Sequence, residues 1–120
     1  MTRESGLGTL DFGQLRSITL DDRTLMRELI GELVSDASRQ IEELSRAVER
    51  ADSGECARLA HGLTGACGNV GASNLATLFY SLEREAATGN VRRCGPHVDC
   101  LRNELEKLRR AANSLFERQL

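Results

Sequence analysis

Apolar residues recur along this chain at steps of three and four almost everywhere, which is the period of a helix. Met26, Ile30, Leu33, Ala37, Ile41, Leu44, Val48 and Ala51 form one seam. It predicts a single amphipathic helix over about 22–51, opened by an acidic cap at Asp21 or Asp22. Before it, Leu10 to Arg16 is expected as a short helix across the end of the bundle. Asp52-Ser53-Gly54-Glu55 reads as a capping box, with Asp52 as cap and Glu55 reaching back. The helix it opens carries Leu59, Leu63, Cys67 and Val70 and stops at Gly71, a left-handed position. Ser73 is expected to cap a further helix with Leu75, Leu78, Phe79, Leu82 and Ala86, ending at Gly89. The last seam runs Val91, Cys94, Val98, Leu101, Leu105, Leu108, Ala112, Leu115. Pro96 implies either a start near 95–96, with proline in the first turn where it is tolerated, or a start near Val91 with a kink; the first is preferred. No segment alternates as a strand does. Four amphipathic helices on short connections predict an all-α fold, an antiparallel up-down four-helix bundle with a short additional N-terminal helix.

Length and composition narrow the class. A chain of 120 residues holds one domain, here 1–120, with 1–9 expected as a flexible tail. At 40% apolar and 28% charged it is too apolar for a disordered chain. Sixteen basic and eighteen acidic residues alternate without a basic patch, and aromatics make up 3%, which argues against a nucleic-acid partner. No apolar run reaches the ~20 residues of a membrane span, so no membrane partner is expected. The N-terminus has no apolar signal region, which points to the cytoplasm. The Met1 start and short polar tail suggest a stand-alone protein. Cys94, His97 and Cys100 form a C-x-x-H-x-x-C run. On a continuous helix these side chains spread over more than about 100° and lack a fourth ligand, so no metal site is assigned.

One stretch departs from a plain bundle. His61-Gly62-Leu63-Thr64-Gly65-Ala66-Cys67-Gly68-Asn69-Val70-Gly71 carries glycine at 62, 65, 68 and 71. Three of these lie inside a helix and cost roughly 3 kcal/mol in all, at about 1 kcal/mol each. A cost of that size implies that something approaches the backbone closely. On a helical wheel Leu59, Leu63, Ala66 and Val70 lie opposite His61 and face the core. Beside His61 lie Ala57, Arg58, Thr64, Gly65 and Gly68. That face offers an imidazole to a partner protein across small neighbours. Phosphate-loop patterns are absent, and a bundle this small offers no deep cleft for a hydrolase triad.

The run Ala60-His61-Gly62-Leu63-Thr64-Gly65-Ala66-Cys67-Gly68-Asn69-Val70-Gly71-Ala72-Ser73-Asn74-Leu75, followed by Leu82-Glu83, resembles the histidine-containing phosphotransfer (HPt) domains of bacterial two-component phosphorelays. Their usual pattern reads A-H-x-L-K-G-S/A-x-x-x-x-G-A-x-x-L with a later L-E. The resemblance implies that His61 accepts the phosphoryl group and that Gly65 is the small position that lets a partner dock. It implies that Leu59, Leu63 and Val70 hold the helix to the bundle and that Glu83 helps orient the site. The expected partners are response-regulator receiver domains and a hybrid sensor histidine kinase. The chain would be a phosphoryl carrier and not an enzyme. Mg²⁺ is expected in the receiver, and no cofactor here. Where the family usually has lysine, three residues after the histidine, this chain has Thr64. Arg58 could supply the charge instead, with Thr64 adding a hydroxyl. The alternative is a non-phosphorylated helical adaptor that docks a signalling partner through the glycine-lined face.

Overall fold

The computed structural model describes residues 8–118. Helix α1 spans Phe12–Ile18, α2 Arg23–Glu49, α3 Ser53–Asn69, α4 Ser73–Ala87 and α5 Cys94–Arg118, the last preceded by a 3₁₀ turn at Val91–Arg93. There is no strand among the described residues. No described helix is long and apolar enough to cross a membrane. Residues 1–7 of the expected tail lie outside the described residues, while Thr9 is buried.

Side-chain caps set most helix starts. Asp11 accepts from the Gln14 N–H at 3.1 Å, so α1 begins at Phe12, two residues later than its sequence pattern implies. Asp22 accepts from the Leu25 N–H at 3.1 Å, as expected of an acidic cap. The seam of α2 buries Met26 through Leu44 and then Ala47, whereas Val48 is only partly buried and Ala51 is exposed. The helix stops at Glu49 because Ala51 takes a left-handed φ of 56°, and the Asp52 N–H closes on the Ala47 carbonyl at 2.9 Å.

Asp52 caps α3, accepting from the Glu55 N–H at 3.1 Å, but the second half of the expected capping box is absent: the Glu55 carboxylate is held by Arg58. Ser73 does not cap α4. It is the first helical residue, Ala72 precedes it without a side-chain cap, and the Ala72 N–H closes on the Cys67 carbonyl at 2.9 Å. The reversal at Gly71 is tight enough that helical geometry resumes one residue before a Ser73 cap could form. Helix α5 starts at Cys94, ahead of the 95–96 implied by Pro96. Pro96 then occupies the third position, whose N–H would have no intrahelical partner.

Two pairs of contacts fix the topology. Arg102 meets Glu42 and Arg27 meets the Phe116 carbonyl, so α2 and α5 run antiparallel. An added Cβ at Gly68 would lie 3.9 Å from the Ala76 Cβ, and His61 meets Glu83, so α3 and α4 are antiparallel too. The five helices share one core, in which Leu15 of α1 and Ile41, Leu44, Leu75, Phe79, Leu82, Leu101 and Leu108 of the long helices are fully buried.

Candidate functional site

Helix α3 is held to the core by Cys56, Leu59, Ala60, Leu63, Cys67 and, just past its end, Val70. Leu59, Leu63 and Val70 lie where the sequence places them. Ala66 does not: it is exposed. The buried stripe centres nearer Ala60 and Cys67, and that rotation carries Ala66 round to solvent.

His61 points the other way, with its side chain 78% exposed. Its Nδ1 lies 2.9 Å from Glu83 Oε2, reached across the α3–α4 seam. An ionised carboxylate only accepts, so Nδ1 carries the proton and donates. The neutral ring then presents the Nε2 lone pair, to which no described residue hydrogen-bonds. Glu83, only 26% exposed, thus fixes both the orientation and the tautomer of the ring.

The other residues expected beside His61 divide. Gly65 is exposed, and a Cβ built on it would meet no atom within 4 Å; the same holds for Gly62. These glycines leave open surface and are not required by packing within the chain. Ala57 and Gly68 are half-buried along the same flank. Arg58 is not brought to the ring. Its Nε and Nη2 grip Glu55 at 2.8 and 2.6 Å, and that guanidinium holds the Glu55 carboxyl below its usual range. Thr64 also turns away, donating its hydroxyl to the Ala60 carbonyl at 2.9 Å. The two replacements expected for the missing lysine are both engaged elsewhere.

Gly71, at φ 92°, is the glycine its backbone requires, and a Cβ there would also lie 2.8 Å from the Asp11 carbonyl oxygen. Its own carbonyl accepts from the Asp11 N–H at 2.8 Å. Gln14 of α1 donates to the Gly68 carbonyl at 2.7 Å and the Asn69 carbonyl at 3.1 Å, satisfying the last turn of α3. No local signal in the sequence links Gln14 to residues more than fifty positions away.

The Cys94-His97-Cys100 run gathers no site. Cys94 is buried, Cys100 is exposed, and no three His, Cys, Asp or Glu side chains converge as metal ligands among the described residues. Burial pushes the Cys67 thiol up to about 12 and Cys56 up to about 11, which keeps both protonated and unreactive near neutral pH.

Comparison with known proteins places the family and the fold. The family model for the Hpt domain matches residues 28–111. The sensor histidine kinase AruS of Pseudomonas aeruginosa is 38% identical over 87 residues; the match takes in 69% of this chain and 9% of that much longer protein. The crystal structure of histidine-containing phosphotransfer protein B (HptB) from Pseudomonas aeruginosa PAO1 is similar in fold, with a TM-score of 0.84. That likeness covers 92% of this chain and 96% of that one, at 24% sequence identity.

Proposed function

The chain belongs to the Hpt domain family, and from that premise we propose that it relays a phosphoryl group through His61 between receiver domains. Hpt domains are phosphoryl carriers of two-component signalling and not catalysts in their own right. The observation that carries the finer reading is the exposed imidazole with Nδ1 tied to Glu83 and Nε2 turned to solvent.

The chemistry follows from that arrangement. The Nε2 lone pair attacks the phosphorus of a receiver's aspartyl phosphate. The P–O bond to the carboxyl breaks, and its electrons leave with the aspartate. The ring becomes an imidazolium bearing the phosphoryl group on Nε2 and its proton on Nδ1. The Glu83 carboxylate faces that new positive charge, which favours the loaded ring electrostatically. The reverse step returns the group to a second receiver. In-line positioning, Mg²⁺ and charge neutralisation of the transferring group come from the receiver. Gly65, with Ala57 and Gly68 beside it, gives the receiver a surface without side-chain bulk. A hybrid sensor histidine kinase is the upstream partner this reading assigns, and the cytoplasm is where the exchange would take place.

Incubation with a phosphorylated receiver domain tests the reading. Acid-labile phosphate is expected on His61 and lost with His61→Gln. The adaptor reading draws on Arg58 and Thr64 being engaged away from the ring. Under it, the receiver would bind and no phosphate would appear on the chain.

A further inference from the structure

The face around His61 lacks the cation that the resemblance puts at position 64, and Arg58 is clasped bidentately by Glu55. Another arginine stands on the opposite wall. Arg84 follows Glu83 directly, about 1.5 Å further along the α4 axis. Its Nη1 donates to the Tyr80 hydroxyl at 3.2 Å, and its guanidinium carbon lies 5.8 Å from the Tyr80 ring centroid. Both contacts are to the same neutral residue. No carboxylate lies within ion-pair distance of Arg84 among the described residues.

The register of the two helices shows where this pair sits. Gly68 faces Ala76 and His61 faces Glu83, so each residue on α3 lies level with the one on α4 that brings the two numbers to a constant total. Thr64 therefore stands level with Tyr80, and Gly65 with Phe79. Phe79 points into the core, while Tyr80 is 48% exposed. On the α4 wheel Glu83 and Ala76 face α3, Tyr80 comes next toward solvent, and Arg84 follows. Arg84 folds back along its helix over Tyr80, the residue whose backbone stands level with Thr64. A Cβ at Gly65, the next residue toward solvent, would meet no atom within 4 Å.

We propose that Arg84, poised on Tyr80, is the phosphoryl-binding cation of this face. It takes the place of the lysine absent at position 64 and closes on the phosphoryl oxygens once His61 is loaded. Leaving a neutral phenol for a dianion is electrostatically downhill, whereas Arg58 would have to abandon a carboxylate. Tyr80 holds the guanidinium near the site before loading. This inference rests on the reading of His61 as the phosphoryl acceptor.

Phosphoramidate, a small donor that needs no receiver, tests it. Nε2 attacks the phosphorus of the zwitterion, the P–N bond breaks, and ammonia leaves with the bonding pair. The product is the same imidazolium phosphate. The readouts are the phosphohistidine half-life and its ³¹P chemical shift in the full chain. Arg84→Ala is expected to shorten the half-life by about two- to fivefold, the range of an exposed charge pair, and to move the ³¹P signal. Arg84→Lys should restore most of the half-life. Arg39→Ala, on the far side of the bundle, serves as the control for net charge. An Arg84→Ala half-life and chemical shift equal to the parent's overturn the proposal and leave the carrier reading standing. An effect that appears with Arg58→Ala and not with Arg84→Ala overturns it too, in favour of Arg58. Failure of the parent chain to take phosphate on His61 from either phosphoramidate or a phosphorylated receiver defeats the carrier reading itself, and this inference with it.

Discussion

The two flanks of the bundle arrange charge and space in opposite ways. Between α2 and α5 lies an open groove of about 980 Å³, with Ile30, Val34, Ala112 and Phe116 in its lining. Two of its arginines are matched: Arg39 meets Asp36 at 2.7 Å and Arg109 meets Glu106 at 2.6 Å, each pair within one helical turn, while Arg27 has only the Phe116 carbonyl and ring. Such exposed pairs are solvated surface and contribute little. The α3–α4 flank carries Gly62, Gly65 and Gly68 around its histidine, where the groove lining has only Gly31. It presents one imidazole whose outer nitrogen is unmatched and one arginine held only by a phenol. Volume marks where two long helices leave a furrow. Chemistry is marked by a polar atom without a partner.

The sharpest way to break this comparison is to remove the unmatched atom. His61→Gln is expected to abolish acid-labile phosphate completely while the unfolding free energy stays within about 0.5 kcal/mol of the parent, since the side chain is exposed. A large loss of stability would make His61 a packing residue and erase the distinction. Beneath it, Leu63 is 3% exposed. Leu63→Ala should cost about 2–5 kcal/mol in urea denaturation. A loss below 1 kcal/mol would mean that α3 is not anchored as its burial implies.

The fold was legible in the sequence because a buried helix face must repeat at 3.6 residues. Met26 to Leu44 and Val98 to Ala112 keep that period without interruption and are buried accordingly. Helix ends are less legible. Ser73 resembles a cap, yet the Gly71 reversal consumes the turn that the cap would need. The outward face of α3 was legible because the wheel places His61 away from Leu59 and Leu63. Ala66 was misplaced because alanine fits a core and a surface equally well and gives the phase nothing to hold. Glu83 came from the resemblance alone. The engagement of Arg58 by Glu55 follows an ordinary i,i+3 spacing that the sequence displays, but the wheel showed only that Arg58 shares a face with His61. Gln14 and Arg84 depend on how separate helices are placed, which no single helix encodes.

Gly71 separates a glycine required by its backbone from glycines that clear a surface. Gly71→Ala puts an L-residue at φ 92° and a methyl 2.8 Å from the Asp11 carbonyl. It should cost about 1–3 kcal/mol, measured by thermal unfolding. It should also loosen α1, whose Asp11 N–H bonds the Gly71 carbonyl. An unchanged midpoint would mean that the α1 contact gives way freely.

A small expected gain in stability sets the two flanks directly against each other. Gly31 on α2 and Gly65 on α3 are both exposed helical glycines, and a Cβ at either would meet no atom within 4 Å. Gln is a better helix former than Gly, so Gly31→Gln and Gly65→Gln should each stabilise the chain by about 0.5 kcal/mol. In a thermal melt the two variants should be nearly indistinguishable. Their behaviour toward a receiver should diverge. Gly31→Gln fills part of the groove and should transfer phosphate as the parent does. Gly65→Gln places a long side chain beside His61 and should block docking, lowering receiver affinity and transfer together. Equal transfer by both variants would show that the receiver does not approach across Gly65. The open surface beside the imidazole would then have to be explained by something other than docking.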